Sequence, residues 1–221
     1  GWSYPLVLKP DAGQRGAGLR KAHDRADMEK YLAANPDAVL VQPFHAGPFE
    51  AGVFYYRLPG DARGQVLSVT DKVFPEVTGD GRSTLAELVR AHPRYRMQEA
   101  VFLARHAATA DDVIPAVERF ALAAAGNHCQ GTLFRDGAYL LTPELERAMN
   151  DALRPFEGFH FGRLDVRYSD PAEFRAGRGF VVIEVNGSTS ESTNLYDPSW
   201  PVWRAYAVLF RQWALAFRIG A

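Results

Sequence analysis

Gly162-Arg-Leu-Asp-Val-Arg-Tyr168 and Phe180-Val-Val-Ile-Glu-Val-Asn186 are the two stretches that decide how this chain reads. Both alternate apolar and polar residues, the period of a half-buried strand. They predict strands over 160–168 and 179–186, joined by a loop containing proline and glycine. On the first, Arg163, Asp165 and Arg167 share one face, with Leu164 and Val166 on the other. On the second, Glu184 and Asn186 share a face opposite Val181, Ile183 and Val185. A loop centred near residue 174 sets Asp165 across from Glu184 and Arg163 across from Asn186. Facing carboxylates repel one another unless a cation lies between them. Oxygen-only donors select a hard ion, Mg²⁺ or Mn²⁺. A solvated polar sheet face accounts for the same pattern, and on pattern alone the two readings weigh about equally.

Working outward, residues 5–9 read as a strand that runs into Lys9-Pro-Asp-Ala-Gly13-Gln-Arg15-Gly16-Ala-Gly18. Glycines let backbone N–H groups approach phosphate oxygens, and a lysine adds a point charge. The spacing is neither the P-loop nor GxGxxG, and a plain turn competes with the phosphate reading. A helix is expected over 24–34 and a strand over 38–44, whose Gln42-Pro43-Phe44 end, with Glu50 beyond it, could border a purine. Further strands are expected near 50–58 and 65–74, the second carrying Lys72 as another candidate phosphate contact. Thr84-Leu-Ala-Glu87 is a capping-box pattern opening a helix to about His92, and 111–125 reads as helical. Thr142-Pro143 begins another helix with Leu145, Met149 and Leu153 on one side. A last helix over about 201–217 carries Trp203, Tyr206, Phe210, Trp213 and Phe217, a stripe expected to pack in the core. The mixture predicts an α+β fold.

In this order the segments resemble the ATP-grasp superfamily. The carriers are Pro-Leu-Val-Leu-Lys9-Pro with its glycine-rich loop, and Val-Leu-Val-Gln42-Pro-Phe with Glu50 downstream. Gly79-Asp-Gly-Arg-Ser-Thr resembles cyanophycin synthetase and bifunctional glutathione synthetase. Arg163-Leu-Asp165-Val with Glu184-Val-Asn186 resembles D-alanine–D-alanine ligase. The resemblance implies two α+β lobes with ATP between them, a small one over 1–48 and a large one over 49–221. It implies a carboxylate–amine or carboxylate–thiol ligase that uses ATP and two Mg²⁺ ions through an acylphosphate. Lys9 and the loop with Gly13, Arg15, Gly16 and Gly18 would hold the phosphates, Gln42, Pro43 and Phe44 the adenine, and Glu50 the ribose. Asp165, Glu184 and Asn186 would bind metal, and Arg163 and Lys72 would stabilise the transferring group. Ser188, Ser190, Ser192 and Asn194 would line the acceptor site. Gln42 departs from the glutamate common at that place, and Glu50 stands one residue late. The family's usual N-terminal domain lies outside this chain, and the abrupt entry into strand suggests a piece of a longer protein. A non-catalytic nucleotide sensor and an ATP-grasp kinase stay open as alternatives.

Composition bounds the rest. Hydrophobic residues make up 47% of the 221, charged residues 23%, and the formal net charge is −1, so no global basic field points to nucleic acid or anionic lipid. The expected partners are small-molecule carboxylates and amines. The single cysteine, Cys129, excludes an internal disulfide and fits a reducing, cytoplasmic setting. No apolar run reaches the ~20 residues of a membrane span.

Overall fold

The structure is a computed structural model that describes residues 1–12, 17–123 and 126–221. These divide into two compact units, Gly1–Ala46 and Gly47–Ala221. The architecture is α+β with antiparallel sheets throughout. No helix among the described residues is long and apolar enough to cross a membrane.

The first unit is a three-stranded sheet of β1 (Leu6–Pro10), β2 (Arg20–Ala22) and β3 (Val39–Pro43), in the order β2-β1-β3, with α1 (Arg25–Ala34) packed on one face. Asp24 caps α1 by accepting the Asp27 N–H at 2.9 Å. Leu8, Ala22 and Tyr31 form the small core, supported by Met28, Val39 and Val41. Strand alternation therefore leaves Lys9, Leu40 and Gln42 on the opposite face. Gly18 has φ +74°, and a Cβ there would come within 2.8 Å of Pro10, while its carbonyl accepts the Tyr31 hydroxyl at 2.7 Å.

The second unit is built on β4 (Phe49–Tyr56), β5 (Gln65–Val73), β8 (Leu133–Asp136), β9 (Phe161–Tyr168) and β10 (Phe180–Asn186), ordered β10-β9-β4-β5-β8. One face receives α4 (Pro143–Leu153) and α5 (Pro171–Arg175), which bury Leu145, Met149, Leu153 and Phe174 against Ala51, Val53, Tyr55, Leu164 and Val166. Thr142 caps α4 by accepting the Leu145 N–H at 3.1 Å, with Pro143 in its first turn. The other face is polar except at one end, where Phe54, Tyr56 and Phe161 meet Leu215 of α6 (Val202–Gly220). A ribbon of β6 (Glu76–Thr78) and β7 (Arg119–Ala121) joins α2 (Leu85–Ala91) and α3 (Glu99–Arg105) in a satellite core of Val77, Leu85, Val89, Phe102, Ile114 and Leu122. The expected capping box of Thr84 and Glu87 opens α2.

Three expectations are corrected. The helix read over 111–125 is absent among the described residues: 115 is a proline that starves a helix of a donor, Val117 sits at φ +64°, and 119–121 pair with β6. The aromatic stripe of α6 is not core. Gln212 and Leu215 are the buried positions, and Trp203, Tyr206, Phe210, Trp213 and Phe217 are all exposed. On β10 a bulge between Val182 and Glu184 breaks the alternation, so Val181 pairs with Arg167 and Val182 with Val166.

Candidate functional site

The β9–β10 register is the one the alternation predicts at its functional end: Glu184 pairs with Asp165, Val185 with Leu164 and Asn186 with Arg163. The bulge restores this register after the shift at Val182. β9 in turn pairs with β4, setting Arg167 beside Glu50 and Asp165 beside Gly52, and β4 pairs with β5, setting Glu50 beside Lys72. Three strands distant in sequence thus aim their polar residues at one patch.

The patch is a chain of alternating charges. Arg167 Nε meets Glu50 Oε2 at 3.2 Å, and Glu50 Oε1 meets Lys72 Nζ at 2.7 Å. Lys72 Nζ also reaches Asp165 Oδ1 at 3.1 Å, and Asp165 accepts Arg163 Nε at 2.9 Å. Glu50, Lys72 and Asp165 are each at most 5% exposed, so these pairs are shielded from water and their mutual attraction is stronger than at the surface. Removing ions from water is costly, and such a network persists only where each member has partners. Gly52 lies under it because a Cβ would stand 3.1 Å from Arg163 Cδ and 3.4 Å from Asp165 Oδ1. Gly126 presses from outside. A Cβ there would come 2.2 Å from Glu50 Oε1 and 2.8 Å from Lys72 Cδ. Gly126→Ala is therefore expected to push Glu50 off Lys72 and cost about 1–3 kcal/mol, the range for overpacking; a denaturant titration against wild type measures it.

The segment after β10 closes over the sheet. Arg163 Nη1 donates to the Glu191 carbonyl at 3.3 Å, and Thr193 donates to Thr70 at 3.0 Å. Ser192 bonds Ser68, donates its hydroxyl to Asn194 Oδ1 at 2.8 Å and gives its N–H to Gln212 Oε1 at 2.8 Å. Asn194 donates to Asp136 at 3.1 Å. Ser192 and Asn194, expected to touch an acceptor, are buried and spend these polar groups inside the protein. Ser190 donates to the Gly187 carbonyl at 2.7 Å, and Ser188 is exposed. Burial, helped by its hydrogen bond to Glu191, lifts the Tyr196 hydroxyl to about 12. Burial also lowers the neighbouring His128, with Arg94 adding to the effect.

Glu184 is exposed, and Asn186 keeps a buried side-chain nitrogen without a hydrogen-bond partner. Among the described residues no three His, Cys, Asp or Glu side chains converge on one point. The donors at this strand end are two carboxylates, paired in register, and an amide. In the first unit Lys9 pairs in register with Leu40, Gln42 with Val7 and Pro43 with Leu6, while Phe44 gives its N–H to the Pro5 carbonyl at 3.1 Å and receives Lys21 over its ring at 3.9 Å. Gly13, Arg15 and Gly16 lie outside the described residues. Sequence reasoning placed Arg167 on the polar face but gave it no partner, and it passed over Gly126. Only the β4–β9 pairing reveals the first.

No family model and no curated protein matches the chain. Solved structures do. A bifunctional glutathione synthetase from Pasteurella multocida is 20% identical with a TM-score of 0.47, over 94% of this chain and 30% of that one. A D-alanine–D-alanine ligase from Bacillus anthracis complexed with ATP is 14% identical with a TM-score of 0.46, over 98% of this chain and 51% of that one. An L-amino acid ligase from Bacillus licheniformis is 17% identical with a TM-score of 0.40, over 85% and 32%. The chain is similar to part of these three ligases and spans about a third to a half of their length.

Proposed function

We propose that this chain is the nucleotide-binding and phosphoryl-transfer part of an ATP- and Mg²⁺-dependent ligase of the ATP-grasp kind, which activates a carboxylate as an acylphosphate and joins it to an amine or thiol. The observation that carries the reading is the buried chain Arg167–Glu50–Lys72–Asp165–Arg163, with Glu184 and Asn186 in register beside it. Burying charge on one sheet face is costly, and a site that handles charge is a reason for a fold to retain such a chain. No hydroxyl–imidazole pair stands among them, which suits chemistry done by positioning and charge stabilisation instead of a protein nucleophile.

Residues 1–48 are read as the small lobe and 49–221 as the large one. In the first, Lys9, the Gly13–Gly18 loop and Gln42 to Phe44 are assigned to the phosphates and adenine. In the second, Glu50 is assigned to the ribose and Lys72 to the phosphates. Asp165, Glu184 and Asn186 suit Mg²⁺, since their side-chain oxygens are hard donors and few protein ligands suffice. When bound, the ion neutralises phosphate charge. Lys72 holds Asp165 and Glu50 apart at defined positions, and Arg163 presents its guanidinium to negative charge developing on the transferring group. The segment 187–194 is assigned to the acceptor through Ser188 and Ser190, with Ser192 and Asn194 fixing its course. A cytoplasmic setting accords with the lone exposed Cys129.

The test is ADP release with panels of carboxylates and amines. ADP formed only when both substrates and Mg²⁺ are present, with an amide product, supports the ligase. A phosphorylated product that accumulates with the amine present would instead make the protein a kinase. Nucleotide binding without turnover, in this chain and in any longer protein containing it, would make it a sensor.

A further inference from the structure

Helix α6 carries apolar residues on two sides, and only one of them is used. The inner side, with Leu215, Ala216 and Ile219, packs on Phe54, Tyr56 and Phe161, and Gln212 pins it by hydrogen bonds to Ser192 N and the Ser190 carbonyl at 2.8 and 3.1 Å. The outer side repeats Trp203, Tyr206, Phe210, Trp213 and Phe217 at alternating steps of three and four residues, the a/d spacing of a helix–helix seam. Exposed Ala207 and Ala214 sit beside the rings, so large knobs and small gaps occur in one strip. No charged side chain interrupts it. Arg204, Arg211 and Arg218 recur every seventh residue along one border, and Arg204 is drawn aside to Asp136 at 3.4 Å and over the Trp200 ring at 3.8 Å.

We infer that this stripe is the contact through which two copies of the chain associate, α6 against α6. The five rings are 68, 54, 63, 56 and 76% exposed. At roughly 200 Å² per ring, that leaves about 600 Å² of aromatic surface per copy. A standard interface covers about 800 Å² per partner, so the rings with their alanine and valine neighbours approach the area a stable dimer needs. A patch this large is more than single surface hydrophobics account for. The strip is its own complement: an isologous pairing centred on Phe210 brings each copy's rings toward the other's Ala207 and Ala214. A membrane surface would also take an aromatic helix bordered by arginines, but it gives no reason for the small Ala207 and Ala214 set among the rings, which a facing copy fills. The inference does not depend on the proposed ligase activity.

Sedimentation equilibrium of the 221-residue chain between about 1 and 50 µM tests it, with Phe210→Glu and Ala214→Glu as variants. The expected result is a mass approaching twice the 24.5 kDa of one chain for wild type. Each variant should weaken association at least ~30-fold, as for a central interface residue, with the circular-dichroism spectrum of the folded chain unchanged because both positions face outward. A wild type that stays monomeric throughout would overturn the inference. So would association as strong in the variants as in wild type, or a monomer that instead co-sediments with phosphatidylcholine–phosphatidylglycerol vesicles.

Discussion

Lys72→Met should cost the second unit about 3 kcal/mol of stability, enough to lower its melting temperature by roughly 10 °C for a unit of this size. Lys72 Nζ lies 2.7 Å from Glu50 Oε1 and 3.1 Å from Asp165 Oδ1, and all three side chains are nearly inaccessible to water. Methionine keeps most of the volume and the apolar stem but removes the charge. Glu50 then keeps the Arg167 guanidinium as its ion-pair partner, and Asp165 keeps Arg163. Two carboxylates would face each other across the gap in a medium where repulsion is weakly screened. That remaining pairing keeps the loss near the low end of the ~3–5 kcal/mol seen when a buried pair is broken. Thermal unfolding of wild type and variant measures it. A loss under about 1 kcal/mol would show that the network is hydrated and that its charges are not coupled as described.

Glu184→Gln is expected to do the opposite: leave the fold intact and remove the activity. Glu184 is an exposed residue of the edge strand β10, so stability should change by no more than ~0.5 kcal/mol. Glu184 is nevertheless the cross-strand neighbour of Asp165 in the β9–β10 register. If the two share Mg²⁺, the amide keeps the shape and one oxygen but loses the charge that balances the ion. ADP release should then fall by about 10²–10³, the range for losing one preorganised electrostatic group. The two substitutions separate the roles within one patch. Lys72→Met is expected to lower stability as well as activity, Glu184→Gln activity alone. An inactive Lys72→Met with normal stability, or a Glu184→Gln that unfolds, would reverse that division.

The β9–β10 pair is legible in the sequence because a period of two is short-range information. Eight residues around Asp165 and seven around Glu184 suffice to say which side chains share a face, and the loop length sets their register. What lay outside that reach was not legible. The Glu50–Arg167 contact joins residues 117 apart, through a β4–β9 pairing that no local pattern encodes. The bulge between Val182 and Glu184 also escaped, since one extra residue in a strand leaves no compositional trace and yet moves Val181 to the other face. Residues 111–125 looked helical because Val113, Ile114, Val117 and Phe120 fall at helical spacing; Pro115 and the positive φ of Val117 override that spacing. The aromatic stripe of α6 misled in another way. Periodicity identifies an apolar side but cannot say whether the same chain covers it, and here Gln212 and Leu215, not the rings, face the sheet. In the first unit the strands and α1 followed from pattern and the Asp24 cap, while the phosphate role of the glycine-rich loop rests on resemblance alone.

The proposal that Asp165, Glu184 and Asn186 hold Mg²⁺ against a bound nucleotide is tested by calorimetric titration of a non-hydrolysable ATP analogue into wild type and Glu184→Gln, with and without Mg²⁺. Binding to wild type is expected to tighten at least tenfold with Mg²⁺, and the variant to lose that gain. Binding equally strong without Mg²⁺ and unchanged by Glu184→Gln would rule the metal site out.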